Sequence, residues 1–306
     1  MSIIYPTNCE LEVLENSAVE FANGAKNLLE GNLWNTSVNY KGDGFSNPVT
    51  AVDVGIEEYL RVEILNRFPN HMVIGEEHEK ASGEYSDFIW IIDPIDGTSN
   101  FIAGLPIYSI SIGLFYRGNP IIGVMFSPLE KMDVGIYRSR IGGGSFVGSN
   151  KLAVMDEKQP GASKLIGLPG GYKNTHMFRG KAYNIGNARV TGSITFEMLM
   201  VAKGVFQYSF FSNPKIWDVA AGIVMVKEAG GEILVFKNYS WNPLENFMDD
   251  FSGNPGEGYL VGLRNWSRPL LAGNADLLKY ITDKNSDTKI GLKSGINQLK
   301  KLFNMT

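Results

Sequence analysis

The chain has 306 residues, 44% hydrophobic and 20% charged, with a formal charge of −4, the balance of an ordinary soluble globular protein with room for an extensive core. That charge supplies no broad basic field, so nucleic acid is not an expected partner, and Cys9 as the sole cysteine excludes an intramolecular disulfide and a thiolate metal cluster. The N-terminus shows no basic segment leading into an apolar run, and Arg117 with Gly118-Asn119-Pro120 splits the apolar stretch 107–126. Neither a secretory leader nor a membrane span is expected, and a reducing, cytoplasmic setting is.

In chain order, Leu14, Ala18, Phe21, Ala25, Leu28 and Leu29 mark an amphipathic helix closed by Gly31, and Ile56, Tyr59, Leu60 and Ile64 mark a second. Strands are predicted at about Val73, over 88–92, 108–116, 120–126 and 134–137. The run Gly142-Gly143-Gly144 fits neither GxGxxG nor GxxxxGK and is not a nucleotide loop. A strand at 165–168, a helix over 193–202 stopped by Gly204, a strand at 206–211, a helix from Trp217 to Gly230-Gly231 and a strand at 232–236 follow. This alternation implies stacked layers of helix and sheet. Residues 276–306 carry six lysines against three aspartates with little apolar pattern, which predicts a loosely held tail.

The densest chemistry lies in WIIDPIDGTSNF, residues 90–101, where Asp93 and Asp96 stand between an apolar strand and a glycine-led turn. Two carboxylates about 5 Å apart repel by roughly 3 kcal/mol at an effective dielectric of 20, so a site built from them wants a cation. Hard oxygen ligands favour Mg²⁺, Mn²⁺ or Ca²⁺. Gly97-Thr98 allows a tight turn that aims backbone N–H groups at an anion. An acidic turn held by local hydrogen bonds is the plainer alternative. Two further segments bear on the choice. Val73-Ile74-Gly75 ends in Glu76 and Glu77, which read either as ligands or as a solvated loop. Trp217-Asp218 opens a small-residue helix, where the acid could simply complement the helix dipole.

Taken together, GEE, DPIDGTSNF and WDVAAG resemble the inositol monophosphatase family of metal-dependent phosphatases, from about Leu11 to about Gly273. The resemblance implies an α/β fold, an alternating five-layer αβαβα sandwich of the sugar phosphatase type. Residues 1–150 would form an α+β lobe carrying most metal ligands, and residues 151–275 an α/β lobe carrying Asp218 and the substrate pocket, the two being lobes of one domain. It further implies two to three Mg²⁺ ions, with Mn²⁺ as a substitute. Glu76, Asp93 and the Ile95 carbonyl would hold one ion, Asp93, Asp96 and Asp218 a second, and a third would lie near Glu76. The N–H groups of Gly97 and Thr98 would bind the phosphoryl oxygens, and a metal-activated water would attack phosphorus in line. Asp53 would accept a hydrogen bond from Thr98, whose hydroxyl orients that water; a capping box between Thr50 and Asp53 is the plainer reading, the first is preferred, and both can hold through different carboxylate oxygens. Lithium sensitivity and a homodimer are family expectations. His71, His78 and His176 are scattered and not needed, and Cys9 has no histidine near it in sequence.

Gly192, Ser193 and Ile194 fall where the family lines its alcohol pocket, beside Asp96 and Asp218. Seven residues before Asp218, where inositol-selective members carry a glutamate, stands Phe211. An apolar ring cannot accept hydrogen bonds from ring hydroxyls, a loss of about 1–3 kcal/mol, so a broader or shifted polyol or sugar phosphate specificity is expected. In the competing reading the loop 209–216 has shifted and Phe211 is core. Fructose 1,6-bisphosphate, histidinol phosphate and 3′-phosphonucleotides are the alternative substrates, the last through a base stacked on Phe210 and Phe211. A non-catalytic regulatory protein of the same fold is the alternative class.

Overall fold

The computed structural model describes residues 5–32, 38–40, 48–82, 86–128, 135–171, 186–247 and 257–286. In chain order the elements are α1 (Asn8–Gly31), β1 (Val38–Tyr40), β2 (Pro48–Thr50), α2 (Ala51–Arg67), β3 (Met72–Gly75), β4 (Phe88–Asp96), α3 (Thr98–Ile102), β5 (Ser109–Tyr116) and β6 (Asn119–Phe126). Then come β7 (Ile136–Arg140), β8 (Gly144–Val147), β9 (Asn150–Lys151), β10 (Leu165–Gly167), β11 (Asn187–Arg189), α4 (Ile194–Ala202), β12 (Phe206–Phe211) and α5 (Ile216–Glu228). The chain continues through β13 (Glu232–Lys237), β14 (Ser240–Pro243), α6 (Glu257–Asn265), β15 (Leu270–Gly273) and α7 (Ala275–Ser286). Val134, placed in a strand by the sequence pattern, lies outside the described residues; β7 begins at Ile136.

Strands β3 to β9 form a seven-stranded sheet in sequence order, with β3 and β4 parallel and the rest antiparallel. A six-stranded sheet has the order β11-β10-β12-β15-β13-β14. Helices α1 and α2 cover one face of the first sheet, α4 and α5 lie between the sheets, and α7 covers the far face of the second. This is the five-layer αβαβα sandwich.

Three apolar cores fill the gaps between layers, and strand alternation decides which residue enters which. Along β4, Trp90 and Ile92 face α1 and α2, while Ile89 and Ile91 face the middle layer. The middle layer has little room. A Cβ on Gly123 would sit 2.2 Å from the Ala221 carbonyl oxygen, so the Ala220-Ala221 face of α5 lies almost backbone to backbone on the sheet. The small residues after Asp218 thus serve close approach.

The tail expected from Asp276 instead begins as helix. In α7, Leu277, Leu278 and Ile281 are buried against Ile166, Tyr208 and Leu271 and supply the fifth layer's contact. Apolar residues at i, i+1 and i+4 make one helical stripe, too short a run to stand out against the lysines. Residues 287–306 lie outside the described residues. The glycine run at 142–144 is the β7–β8 connection, where Gly142 and Gly144 donate N–H groups to the Glu228 carboxylate at 2.9 and 2.8 Å.

Candidate active site

In a regular strand, residues three apart point to opposite faces. Asp93 and Asp96 escape this through a one-residue bulge: Asp93 pairs with Ser111 and Asp96 with Ser109, three steps on β4 against two on β5. Pro94, which has no N–H to offer the ladder, sits in the bulge. Both carboxylates therefore turn toward the middle helical layer. Because β3 runs parallel to β4 with Gly75 opposite Ile92, Glu76 emerges beside Asp93. The flush packing of α5 delivers Asp218 to the same place. Oxygens of Asp93, Asp96 and Asp218 lie within 4.8 Å of one another, and the Glu76 charge acts on both Asp93 and Asp218.

The cluster is electrostatically unfinished. Asp93 is 1% exposed, and neither of its carboxylate oxygens has a hydrogen-bond partner. Burial first, then Glu76, Asp96 and Asp218, push its pKa well above the usual carboxylate range. Burial and Asp96 push Asp218 up likewise, against one N–H bond from Lys215 at 2.7 Å. Asp96 is better supported. Its Oδ2 accepts from Ser193 Oγ at 2.8 Å, Thr195 N at 2.6 Å and Thr195 Oγ1 at 2.7 Å, which partly offset the upward push of burial. A buried, partnerless carboxylate flanked by three further acids fits a divalent cation bound through hard oxygens.

Around the acids the chain is tightly tied. Gly97 takes φ +93°, and a Cβ there would meet the Ile107 carbonyl at 2.8 Å. Thr98 Oγ1 has Asp53 Oδ1 at 3.2 Å and the Ile95 carbonyl at 2.9 Å as acceptors for its single proton. Asp53 Oδ2 meanwhile accepts from the Thr50 N–H at 2.8 Å and the Thr50 hydroxyl. The capping box and the Thr98 contact coexist through different oxygens of one carboxylate. Burial raises the Asp53 pKa against these donors. Asn100 Nδ2 donates to the carbonyls of Ile107 and Thr191, both at 2.8 Å, pinning the turn to the loop that carries Gly192.

Not every expected site residue comes to the acids. Ser193 does, through Asp96, and Gly192 lies at φ +79° against Asn100. Ile194 packs its side chain on the intersheet core. Phe211 is 3% exposed in that same core, its backbone paired with Leu270. It is the last residue of β12 and does not line an open pocket. Phe210, on the opposite face, packs on Trp241 at 6.2 Å, so the two rings cannot sandwich a base. His71 is a half-buried ring, stacked on Phe68 and Phe88 and accepting from Trp90 Nε1 at 3.0 Å; burial lowers its pKa to about 4. His78 turns to Glu57, its Nδ1 2.8 Å from Oε1. His176 lies outside the described residues.

Sequence reasoning missed Thr195, Asn100 and Glu57. Glu57 is fully buried and accepts from the backbone N–H groups of Glu77 at 2.6 Å and His78 at 3.0 Å and from Arg61 Nε at 2.9 Å. Its i,i+4 spacing to Arg61 reads on the page as a surface ion pair. Glu197 is also buried, accepting from Thr191 N–H and Oγ1. Burial, augmented by Asp96 and opposed by those bonds, raises its pKa to about 7.

Fold and site together define an αβαβα protein with a carboxylate centre suited to a hard cation. Residues 10–247 match the inositol monophosphatase family. The chain is 35% identical over 200 residues to the fructose-1,6-bisphosphatase/inositol-1-monophosphatase of Aquifex aeolicus, a match covering 63% of this chain and 74% of that protein. It is 32% identical over 196 residues to Nus factor SuhB of Pasteurella multocida, covering 61% and 72%. The crystal structure of extragenic suppressor protein SuhB from Bartonella henselae superposes with a TM-score of 0.71 at 25% identity, covering 90% of this chain and 99% of that one. The chain belongs to the inositol monophosphatase family, a family of phosphatases. Among the described residues, no helix is long and apolar enough to cross a membrane.

Proposed function

We propose that this chain is a Mg²⁺-dependent phosphomonoesterase acting on a small polyol or sugar phosphate. The observation that carries the reading is Asp93, buried, without a partner on either oxygen, and within 4.8 Å of oxygens of Asp96 and Asp218. Glu76, Asp93, the Ile95 carbonyl, Asp96 and Asp218 would hold two to three divalent ions. Bound there, such ions polarise the phosphoryl group and acidify water.

The chain's own groups supply orientation. With its proton on Asp53, the Thr98 hydroxyl presents lone pairs that accept a hydrogen bond from the attacking water and aim it. The N–H groups of Gly97 and Thr98 would take phosphoryl oxygens at the turn. Ser193 and Thr195 hold Asp96 in one orientation, so the attacking and leaving sides stay fixed. Gly192 and Ser193 would border the alcohol. The homodimer and cytoplasmic location suggested by the resemblance and composition belong to the same reading.

The test is phosphate release with and without Mg²⁺ across inositol 1-phosphate, fructose 1,6-bisphosphate, histidinol phosphate, 2′-AMP and 3′-phosphoadenosine 5′-phosphate. Metal-dependent turnover of at least one ester is expected. A relative named Nus factor favours a second reading, a regulatory protein on the same fold; absence of turnover across the panel despite bound Mg²⁺ would move the weight there.

A further inference from the structure

β3 is the edge strand of its sheet, and among the carbonyls on its outer side that of Val73 already accepts from the Ser82 N–H at 2.9 Å. Two arginines reach them from other elements. Arg61 of α2 donates to the Val73 carbonyl at 3.3 Å. Arg264 of α6 donates Nη1 to the Gly75 carbonyl and Nη2 to the Glu76 carbonyl, the latter at 3.1 Å. The same guanidinium lies over the Trp217 ring, 5.2 Å from its centroid, and Trp217 immediately precedes Asp218. One planar, rigid fork thus ties the backbone on both sides of Glu76 to the first turn of α5. Glu57 closes the loop from the helix side. A Cβ on Gly75 would meet its carboxyl at 2.4 Å, and its oxygens hold the N–H groups of Glu77 and His78. α6 itself lies beyond residues 10–247 that match the family.

We propose that Arg264 is a positioning residue that sets the placement of Glu76 against Asp218 and thereby tunes the cation affinity of the acidic cluster. The proposal rests on the cation reading of that cluster. Two acids delivered by separate elements, a strand end and a helix start, hold one spacing only if the elements are tied together. Groups that orient ligands from behind are worth about 10–100-fold in metal affinity.

The experiment is Mn²⁺ binding to the full-length protein without substrate, followed by electron paramagnetic resonance, for wild type, Arg264→Met and Arg264→Lys. Thermal unfolding in EDTA and hydrogen exchange at Glu77 and His78 accompany it. Arg264→Met is expected to weaken Mn²⁺ about tenfold at temperatures well below its unfolding midpoint, with faster exchange at both amides. Arg264→Lys, which keeps the charge and loses the two-point fork, should fall between. In turnover, the half-saturating Mg²⁺ concentration should rise by more than kcat falls, which a general loss of stability would not produce. Mn²⁺ affinity within twofold of wild type in both variants overturns the proposal, and if Arg264→Met does not fold, Arg264→Lys decides by the same criterion. A wild-type protein that binds no Mn²⁺ overturns the cation reading itself, a distinct failure.

Discussion

Glu57 and Asp93 are both buried acids, 0% and 1% exposed, on elements packed against each other, yet their surroundings are opposite. Glu57 is met by two backbone N–H groups, the Arg61 guanidinium and the His78 ring. Asp93 is met by nothing that donates, and faces Glu76, Asp96 and Asp218. Burial alone therefore does not mark a functional acid, since Glu57 is as buried as Asp93 and is fully met by donors. What distinguishes the second centre is like charge gathered where donors are missing, an arrangement that costs stability until a cation enters.

The strongest way to break that comparison is Asp93→Asn. Phosphate release should fall about 10⁴-fold, or about 5 kcal/mol, while the metal-free protein melts higher because one repelling charge has gone. Activity near wild type would remove Asp93 from the chemistry. At the satisfied centre, Glu57→Ala leaves the 4%-exposed Arg61 without its carboxylate. Losing one partner of a buried pair should cost about 4 kcal/mol in urea unfolding, and an unchanged midpoint would make the pair ornamental. Phe211→Glu, which would raise inositol phosphate turnover if residue 211 lined the pocket, instead puts an unpaired carboxylate in the intersheet core. It should lose about 3 kcal/mol of stability with no gain in turnover; a gain at unchanged stability would return residue 211 to the pocket.

Glu197 supplies the smallest and most graded effect. Its folded pKa of about 7 exceeds the ordinary glutamate value of 4.5, so between the two the folded state keeps a proton that the unfolded state has already released. The associated stability is complete below about pH 4.5 and is lost as pH rises through about 7. In EDTA, Glu197→Gln should flatten the fall of the melting temperature between pH 5 and 8, by about 2 kcal/mol or less across the window. A profile parallel to wild type would assign the slope to Asp53, Asp96 and Asp218 instead.

Much of the site is short-range in sequence and was legible there. Asp93, Asp96, Gly97 and Thr98 sit within one strand-turn junction, and the two flanking motifs each combine an acid with small residues in a recognisable order. The long apolar elements were legible for a similar reason: α1, β4 to β6, α4, β12 and α5 carry periodicities strong enough to state their type unaided. Short elements were not, and β8, β9, β11, β14, β15, α6 and α7 had no distinct sequence signal. β15, only Leu270–Gly273, inserts between β12 and β13, a pairing set by contacts across more than thirty residues of chain.

By itself, then, the sequence determined that helix and sheet stack in layers and which acids are available, because periodicity and local motif are properties of neighbouring residues. Tertiary structure decided which acids meet. The bulge at Pro94 turns Asp93 and Asp96 to one face, parallel pairing of β3 with β4 brings in Glu76, and the bare faces of Gly113 and Gly123 let α5 settle close enough to present Asp218. It also separated Phe211, which strand geometry and its pairing with Leu270 commit to the core, and Glu57, whose donors come from a loop twenty residues on. Whether a buried acid finds donors or other acids depends on long-range packing, which no local pattern encodes.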